Sequence, residues 1–422
     1  MPHNKYSHHP SNRLLKNTIA LVLAGGKGTR LKGLTKDDAK PAVSFAGKYK
    51  IIDFALSNCY HSGIRSVGVL TQFMAHNLIL HLQRGWQFSS NALGDGVQIV
   101  PAQQRTGNDW YRGTADAVYQ NLDLIRQMDA DRILILGGDH IYKMDYSRML
   151  NFHSETNADV TVACINKPIE QASAFGVMAI DGEGNVVEFQ EKPANPAPSP
   201  TDPSKSLVSM GIYIFNKEVL ERELVEALRD PEYQHDFGHN IIPAIIKRLN
   251  VRGYVFSAHG HPCETAYWRD VGDLDEYYAA NMDILSPKPE LDLYDRQWPT
   301  LTTQSQLPGA KFVFNEPERR GAATDSVLSA GTIVSGSTVD HSLLSTSVYV
   351  DEGSVVRDSI LLPEVVVGQN CKLTKVIVGE GTILPDGIVI GDDLEHDAKY
   401  FEVTEKGVVL VMPSDLENYQ AK

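Results

Sequence analysis

The segment TIALVLAGGKGTRL, residues 18–31, decides the fold of this chain. Its first half, Thr18–Ala24, is a short apolar run that ends at glycines, which is typical of a strand buried in a parallel sheet. The turn that follows, Gly25–Gly28, lets backbone N–H groups approach phosphate oxygens closely, and Lys27 and Arg30 add positive charge. The segment therefore predicts a phosphate-binding turn after the first strand, with a merely tight connection as the alternative.

Neither of the two common nucleotide-binding motifs fits this turn. A G-x-G-x-x-G motif that begins at Gly26 would need glycine in place of Leu31. A Walker A motif needs Ser or Thr after its lysine, whereas Gly28 follows Lys27. A dinucleotide-dependent dehydrogenase and a P-loop ATPase are therefore disfavoured.

Strands alternate with helices as far as about residue 175, which predicts βαβ units and an α/β fold, and a predicted hairpin over 176–189 follows. We expect a Rossmann-like, mostly parallel sheet that helices cover on both faces. We divide the chain into a flexible tail (1–17), a first domain (18–285), an irregular linker (286–325) and a second domain (326–422).

The second domain has a six-residue pattern of apolar residues between small polar turn residues. The sets are Val327, Ile333 and Val339; Leu361, Val367 and Leu373; and Val378, Leu384 and Ile390. This period is the signature of a parallel β-helix, in which every sixth side chain points inward. A stretch of about 65 residues would form three or four coils of roughly 18 residues each. A β-sandwich with accidental spacing is the alternative.

The chain has 422 residues and a formal net charge of −14. This balance argues against nucleic-acid and anionic-membrane partners, because both require a basic surface. No apolar run approaches the roughly 18 residues of a membrane helix, and the polar N-terminus lacks a secretory signal. The four cysteines lie far apart, which disfavours a zinc site and a disulfide framework. We expect a cytoplasmic protein.

Two carboxylates are candidates for a metal site. Asp139 follows the predicted strand 132–136, and ligands of open α/β sheets bind at the carboxyl ends of such strands. Asp270 lies in the segment YWRDVG, and the two carboxylates together with substrate phosphates would suit Mg²⁺. An N-cap is the alternative role of Asp139. Lys192, at the end of another predicted strand, would face the same rim.

Longer strings resemble the ADP-glucose pyrophosphorylases (glucose-1-phosphate adenylyltransferases) of bacteria, within the sugar-1-phosphate nucleotidyltransferases. The strings are Leu23–Leu31, Lys40–Val43, Ile51–Asn58, Trp110–Ala117, Gly138–Tyr142, Glu191–Pro193, Ser209–Tyr213 and Tyr267–Gly272. The likeness covers roughly residues 18–415. It implies a nucleotidyltransferase catalytic domain followed by a left-handed parallel β-helix for regulation and oligomerisation.

The resemblance implies Mg²⁺-dependent transfer of AMP from ATP to α-D-glucose 1-phosphate. The products would be pyrophosphate and ADP-glucose for glycogen (α-glucan) biosynthesis. It further implies that the ATP phosphates are held by Gly25, Gly26, Gly28, Thr29 and Arg30. Gln103 and Gly113 would lie near the base, and Tyr111 near the nucleotide sugar.

The resemblance also assigns the remaining site residues. Asp139 and Asp270 would be the Mg²⁺ ligands, and both would take part in catalysis with Arg30 and Lys40. The residues that would hold glucose 1-phosphate are Tyr111, Gly176, Glu191, Lys192, Ser209, Tyr213 and Asp270.

A homotetramer and anionic metabolite effectors are further implications of the resemblance. However, Asp37 and Asp38 stand where the related bacterial enzymes have basic residues. Since carboxylates repel phosphates, we expect weak or altered sensitivity to fructose 1,6-bisphosphate and AMP. Gln72 and Trp110 match positions that the family links to transmitting activation, so a different effector could use them.

Three other functions are alternatives. The first is a nucleotidyltransferase for another nucleotide or sugar, and the second is a hexapeptide-repeat acyltransferase with a catalytic histidine. The third is a non-catalytic regulatory subunit. The presence of Arg30, Lys40, Asp139, Lys192 and Asp270 argues against the third.

Overall fold

The computed structural model describes residues 12–87, 95–103, 110–199, 202–230, 233–257 and 266–419. The first domain is built on a nine-stranded sheet. In chain order its strands are Thr18–Ala24, Ser66–Thr71, Gly96–Pro101, Arg132–Gly137, Val160–Pro168, Gly176–Ile180, Val186–Glu191, Lys205–Asn216 and Val251–Val255. Two short two-stranded sheets, Ser44–Phe45 with Tyr49–Lys50 and His140–Tyr142 with Trp268–Asp270, lie beside it.

The strand Thr18–Ala24 lies in the middle of the sheet, as its apolar composition predicts. It pairs in parallel with Ser66–Thr71 on one side and with Arg132–Gly137 on the other. Its side chains alternate between two hydrophobic cores, one on each face of the sheet. The predicted parallel arrangement is confirmed for this half, whereas the long strand Lys205–Asn216 runs antiparallel to its neighbours.

Helices cover both faces of the sheet. Those of the first domain are Asn12–Lys16, Ile52–His61, His76–Gly85, Thr114–Tyr119, Leu122–Gln127, Tyr146–Glu155, Lys217–Ala227, Ile242–Ile245 and Leu274–Met282. The helix Asn12–Lys16 lies in the segment predicted to be a flexible tail, and that prediction is wrong for this part. Leu15 packs against the core and Thr18 Oγ1 donates to Leu14 O, which fixes the helix to the sheet.

The second domain consists of coils whose strands form three sheets of five, five and six strands. Its strands are Lys311–Val313, Ala322–Thr324, Val327–Leu328, Ile333–Ser335, Thr338–Asp340, Leu343–Leu344, Tyr349–Val350, Val355–Arg357, Ile360–Leu361, Val366–Val367, Lys372–Thr374, Val376–Val378, Ile383–Leu384, Val389–Ile390, Glu402–Val403 and Val409–Val411. All of these strands pair in parallel except Glu402–Val403. The predicted parallel β-helix is confirmed. Two of its faces have five stacked strands each, whereas we expected three or four coils.

The inward positions follow the predicted six-residue period in the later coils but not in the first. The second and third predicted sets are fully buried, and so is Val339. In the first coil Val334 is buried and Ile333 is not, so the predicted register there is wrong by one residue.

The β-helix begins earlier than expected. Lys311–Val313 pairs with Ile333–Ser335, and Ala322–Thr324 pairs with Thr338–Asp340. Both early strands fall inside the segment 286–325 that we predicted to be a linker. The backbone groups of these two strands form hydrogen bonds with the next coil, for example from Lys311 N to Thr332 O and from Ala322 N to Ser337 O. Residue preferences for β-structure alone do not predict strands of only two or three residues.

The two domains share one hydrophobic core. Leu31 and Leu34, which follow the glycine turn, pack in the same cluster as Ile360, Ile377 and Leu410 of the β-helix. Burial of this cluster joins the segment that follows the phosphate-binding turn to the second domain. Among the described residues, no helix is long and apolar enough to cross a membrane.

The contact between Gly33 and Met412 tests this shared core. A Cβ at position 33 would lie 2.5 Å from Met412 Cγ, so Gly33→Ala should destabilise the protein by about 1–3 kcal/mol through overpacking. The cost should shrink in a Met412→Ala background, because the clashing atoms are gone. Thermal unfolding of the two single variants and the double variant measures this coupling.

Gly182→Ala is the matched control, since no atom lies within 4 Å of a Cβ added there. An equal cost of Gly33→Ala with and without Met412 would show that the domain contact is not responsible.

Candidate functional site

A cleft of about 450 Å³ opens at the carboxyl ends of the parallel strands. The strands Thr18–Ala24, Ser66–Thr71 and Arg132–Gly137 all end on its wall. Nine predicted site residues line it: Gly25, Gly26, Lys40, Tyr111, Gly113, Asp139, Glu191, Lys192 and Tyr213. The cleft therefore lies where we expected the ligand-binding site, at the carboxyl ends of the parallel strands.

The glycine turn requires its glycines for different reasons. Gly28 has φ +60°, and a Cβ there would lie 2.9 Å from Lys40 Cβ. No atom lies within 4 Å of a Cβ added at Gly26, so its backbone faces open space in the cleft. The turn continues into the 3₁₀ segment Thr29–Thr35, where Thr35 Oγ1 donates to Gly28 O at 2.8 Å. The turn is thus closely packed against Lys40 and open toward the cleft.

Lys40 bridges the two candidate metal ligands. Its Nζ lies 2.9 Å from Asp139 Oδ2 and 2.8 Å from Asp270 Oδ1. Pairing of Asp270 with His140 in the short two-stranded sheet brings the second carboxylate to the first. The side chains of Lys40, Asp139 and Asp270 are 7%, 35% and 22% exposed, so the ammonium is buried while both carboxylates keep some contact with water. These three residues are called the Lys40 triad below.

Burial and charge act in opposite directions on the triad. Burial disfavours the charged form of Asp139, but the charges of Lys40 and His140 outweigh this effect and hold its pKa below the usual range. Burial likewise disfavours charged Lys40, yet Asp139 and Asp270 raise its pKa above the usual value. Lys40 and Asp139 are therefore both charged at neutral pH.

The residues around the triad fit a divalent cation. One ligand atom from each of Asp139, His140 and Asp270 lies within 4.8 Å of the others. His140 Nδ1 is buried and has no hydrogen-bond partner among the described residues. Two carboxylates supply the oxygen ligands that a hard cation such as Mg²⁺ prefers, and the ammonium of Lys40 already shows where positive charge is stabilised.

Arg30 lies next to the triad but not on the cleft wall. A Cβ added at Gly272 would be 3.2 Å from Arg30 Nη2 and 3.3 Å from Asp270 Oδ2, so both charged groups lie beside Gly272. Gly28 and Thr29 also stand behind the wall. The structure therefore brings these predicted phosphate-binding residues to the edge of the cleft.

One wall of the cleft is formed by Tyr111 and Gly113. Asn121 Nδ2 donates to the Tyr111 hydroxyl at 2.8 Å, and Gln72 Nε2 donates to the Tyr111 carbonyl at 3.2 Å. A Cβ at Gly113 would lie 2.3 Å from His235 O, so only glycine fits there. Gln103 is exposed and does not line the cleft, and residues 104–109 after it lie outside the described ones.

The opposite wall contains Glu191, Lys192 and Tyr213. Lys192 adopts φ 47°, is 61% exposed, and places its Nζ 3.7 Å from Glu191 Oε1. Burial, with a contribution from Asp236, raises the pKa of Glu191. Ser209 is buried behind Tyr213 and bonds to it, which orients the ring.

Gly176 stands behind the same wall as Glu191. A Cβ there would lie 2.7 Å from Glu191 Oε2. Gly176 and Ser209 thus support the wall rather than line it.

Several lining residues were not predicted. Gln72 was noted only for the transmission of activation, although it lies on the cleft wall. Asp236 caps a short π-helical turn by accepting from Gly238 N and His239 N, and Thr114 Oγ1 donates to it at 2.9 Å. An aspartate two residues before a glycine is the only local signal, and it is typical of any cap.

Comparisons with known proteins agree with this arrangement. Residues 19–287 match the family model for nucleotidyl transferases, and residues 308–411 match that of the GlmU-like C-terminal hexapeptide domain. A glucose-1-phosphate adenylyltransferase of Methylobacillus flagellatus is 53% identical over 405 residues, which is 96% of this chain and 95% of the relative.

Two further relatives have the same extent. The glucose-1-phosphate adenylyltransferase of Methylococcus capsulatus is 51% identical and covers 96% of this chain and 95% of its own length. Glucose-1-phosphate adenylyltransferase 2 of Alkalilimnicola ehrlichii is 52% identical over 96% of both chains. Enzymes of this kind generally use a divalent metal, which agrees with the carboxylate pair. With its α/β nucleotidyltransferase domain and left-handed hexapeptide β-helix, the chain belongs to the glucose-1-phosphate adenylyltransferase family.

Proposed function

We propose that the cleft binds Mg-ATP beside α-D-glucose 1-phosphate and transfers AMP to the sugar phosphate, with release of pyrophosphate. The single observation that supports this most is the Lys40 triad, because Lys40 and Asp139 line the same cleft as the open glycine turn and Lys192. The products would be pyrophosphate and ADP-glucose, which serves glycogen synthesis.

The reaction joins two highly anionic molecules, so charge neutralisation is the main task of the protein. The attacking group is a phosphate oxygen, which is already deprotonated at neutral pH, so no general base is needed. The amides of Gly25–Gly28, the guanidinium of Arg30 and the ammonium of Lys40 would face the ATP phosphates. When bound by Asp139 and Asp270, Mg²⁺ would neutralise the charge on the reacting phosphate.

The two walls would hold the rest of each substrate. The wall of Tyr111 and Gly113 would take the nucleotide, with Thr29 near its phosphates and Gln103 near the base. On the other wall, Lys192 would pair with the sugar phosphate and Glu191 would accept hydrogen bonds from glucose hydroxyls. The residues that would support these contacts on the same wall are Gly176, Ser209 and Tyr213.

The alternative functions have less support. The Lys40 triad and Lys192 meet at one cleft, which a non-catalytic regulatory subunit would not need. An acyltransferase would need a catalytic histidine on the β-helix, where His341 pairs with Asp358 at 2.7 Å, and neither His341 nor His396 lines the cleft where the predicted site residues meet. His396 contacts Tyr400 and Tyr419 in an aromatic cluster.

We propose that a second cleft, of about 690 Å³ between the two domains, is where an anionic effector would bind with reduced strength. Four lysines line it (Lys32, Lys36, Lys50 and Lys399), but so do five carboxylates (Asp37, Asp38, Glu380, Glu402 and Asp415). Burial raises the pKa of Asp38, and the charges of Glu380 and Asp37 contribute to the rise. This clustering of carboxylates supports the expected weak response to sugar bisphosphates and AMP.

We also propose a homotetramer and a cytoplasmic location. Exposed apolar side chains on the β-helix, Phe312, Phe314, Ile383 and Val389, support contacts with further subunits. Cys59, Cys164 and Cys371 are buried free thiols, which suits a reducing compartment. Cys263 lies outside the described residues.

Asp139→Asn should remove most pyrophosphate release while the fold is kept, because the amide is isosteric but cannot neutralise a cation or pair with charged Lys40. Steady-state turnover and thermal unfolding measure the two effects. Asp129→Asn, at an exposed site away from the cleft, is the control. Near-normal turnover of the cleft variant would contradict the assigned role of Asp139.

Lys192→Ala should raise the KM for glucose 1-phosphate by about tenfold to a hundredfold, the value of a lost charge-assisted hydrogen bond. The KM for ATP should change far less. Lys205→Ala removes an exposed lysine from the same half of the sheet and serves as the control. Equal increases in both KM values would show that Lys192 does not select the sugar phosphate.

Asp37→Lys combined with Asp38→Arg should increase activation by fructose 1,6-bisphosphate, since it replaces two repulsive charges with attractive ones. The unmodified enzyme should respond little. Initial rates over a range of effector concentrations measure both responses, with Asp129→Lys combined with Glu155→Lys, at two exposed positions, as a control for net charge. Strong activation of the unmodified enzyme would overturn the proposed effect of the carboxylates.

A further inference from the structure

The ammonium of Lys40 occupies the position between Asp139 and Asp270 that a shared cation would need. Nζ is within 3 Å of one oxygen from each carboxylate, and the side chain is 7% exposed. Nζ therefore supplies the positive charge that offsets the repulsion between the two carboxylates. A divalent cation would require the same oxygens.

An ammonium and a divalent cation cannot both occupy this position. Two positive charges in contact repel one another strongly, and both would need the same carboxylate oxygens. Entry of the metal therefore requires Nζ to leave the carboxylates. The question is whether the side chain of Lys40 has somewhere to go.

The packing of Lys40 fixes the base of the side chain but not its end. Its backbone lies in the 3₁₀ turn Lys40–Ala42, and Val43 N donates to Lys40 O at 3.1 Å. Its Cβ packs against Gly28. Lys40 nevertheless lines the cleft, as does Gly26, which has open space in front of its backbone. The ammonium can therefore swing from the carboxylates toward phosphates bound at the glycine turn.

We propose that Lys40 is the resident counter-ion of the metal site: it holds Asp139 and Asp270 together without metal, competes with the metal for their oxygens, and moves to the substrate phosphates when the metal binds. The inference rests on the metal-dependent function proposed above. The alternative is a permanent lysine bridge that helps to build the site, in which case its removal would weaken metal binding.

The test is Mn²⁺ binding to the full-length, metal-stripped protein without nucleotide, measured by electron paramagnetic resonance of the free ion. Lys40→Met should bind Mn²⁺ at least about tenfold more tightly than the unmodified protein, because the competing ammonium is gone. Lys36→Met makes the same change in the other cleft and should leave the affinity unaltered. Adding Asp139→Asn to Lys40→Met should remove the gain.

Thermal unfolding provides a second readout that does not depend on activity. In chelator, Lys40→Met should unfold at a lower temperature than the unmodified protein, because two neighbouring carboxylates lack a counter-ion. Mn²⁺ should raise its unfolding temperature by more than it raises that of the unmodified protein. Lys40→Gln, which keeps hydrogen-bond donors, should show the same direction and covers poor folding of the methionine variant.

Mn²⁺ affinity that is unchanged or weaker in both Lys40 variants would overturn the proposal, and so would an affinity gain that persists with Asp139→Asn. The two hypotheses fail separately. An unmodified enzyme that releases no pyrophosphate would contradict the proposed function, whereas the Mn²⁺ comparison would still decide whether Lys40 is a counter-ion.

Discussion

The ion pairs of Lys40 with Asp139 and Asp270 are the interaction on which the site depends. They join three distant parts of the chain: the segment after the glycine turn, the end of the strand Arg132–Gly137 and the short strand Trp268–Asp270. Two carboxylates so close together require a positive charge to offset their repulsion, and the buried ammonium of Lys40 supplies it. The same requirement makes the site suitable for a divalent cation, and hence for chemistry between anionic phosphates.

The β-helix contributes to this site through its contacts with the segment that follows the glycine turn. Leu31 and Leu34 leave the glycine turn and enter the core that the two domains share, and Lys32 pairs with Glu402 at 3.1 Å. A change in the cleft between the domains can therefore reach the phosphate-binding turn through only a few residues. Asp37 lines that cleft as well, so part of the acidic surplus of the chain lies close to this connection.

The sequence predicts the elements that depend on local patterns. The apolar run Thr18–Ala24 identifies the central strand because it is buried on both faces, and the six-residue period identifies the β-helix because each coil repeats the same inward positions. The start of the first coil is less predictable, since Lys311–Val313 is a strand only by pairing with the next coil. The sequence predicts Asp139 and Asp270 as a joint Mg²⁺ site together with substrate phosphates. Their contact with Lys40 could not be predicted from spacing, because it arises from pairing across about a hundred residues or more.

The most direct test of the proposed adenylyl transfer is the steady-state release of pyrophosphate from ATP, UTP, dTTP or GTP in the presence of glucose 1-phosphate, each with Mg²⁺ and with chelator. Release with ATP should be far above release with the other nucleotides, and it should be lost when a chelator removes the divalent cation. Release that is faster with another nucleotide, or that persists without a divalent cation, would contradict the proposed transfer.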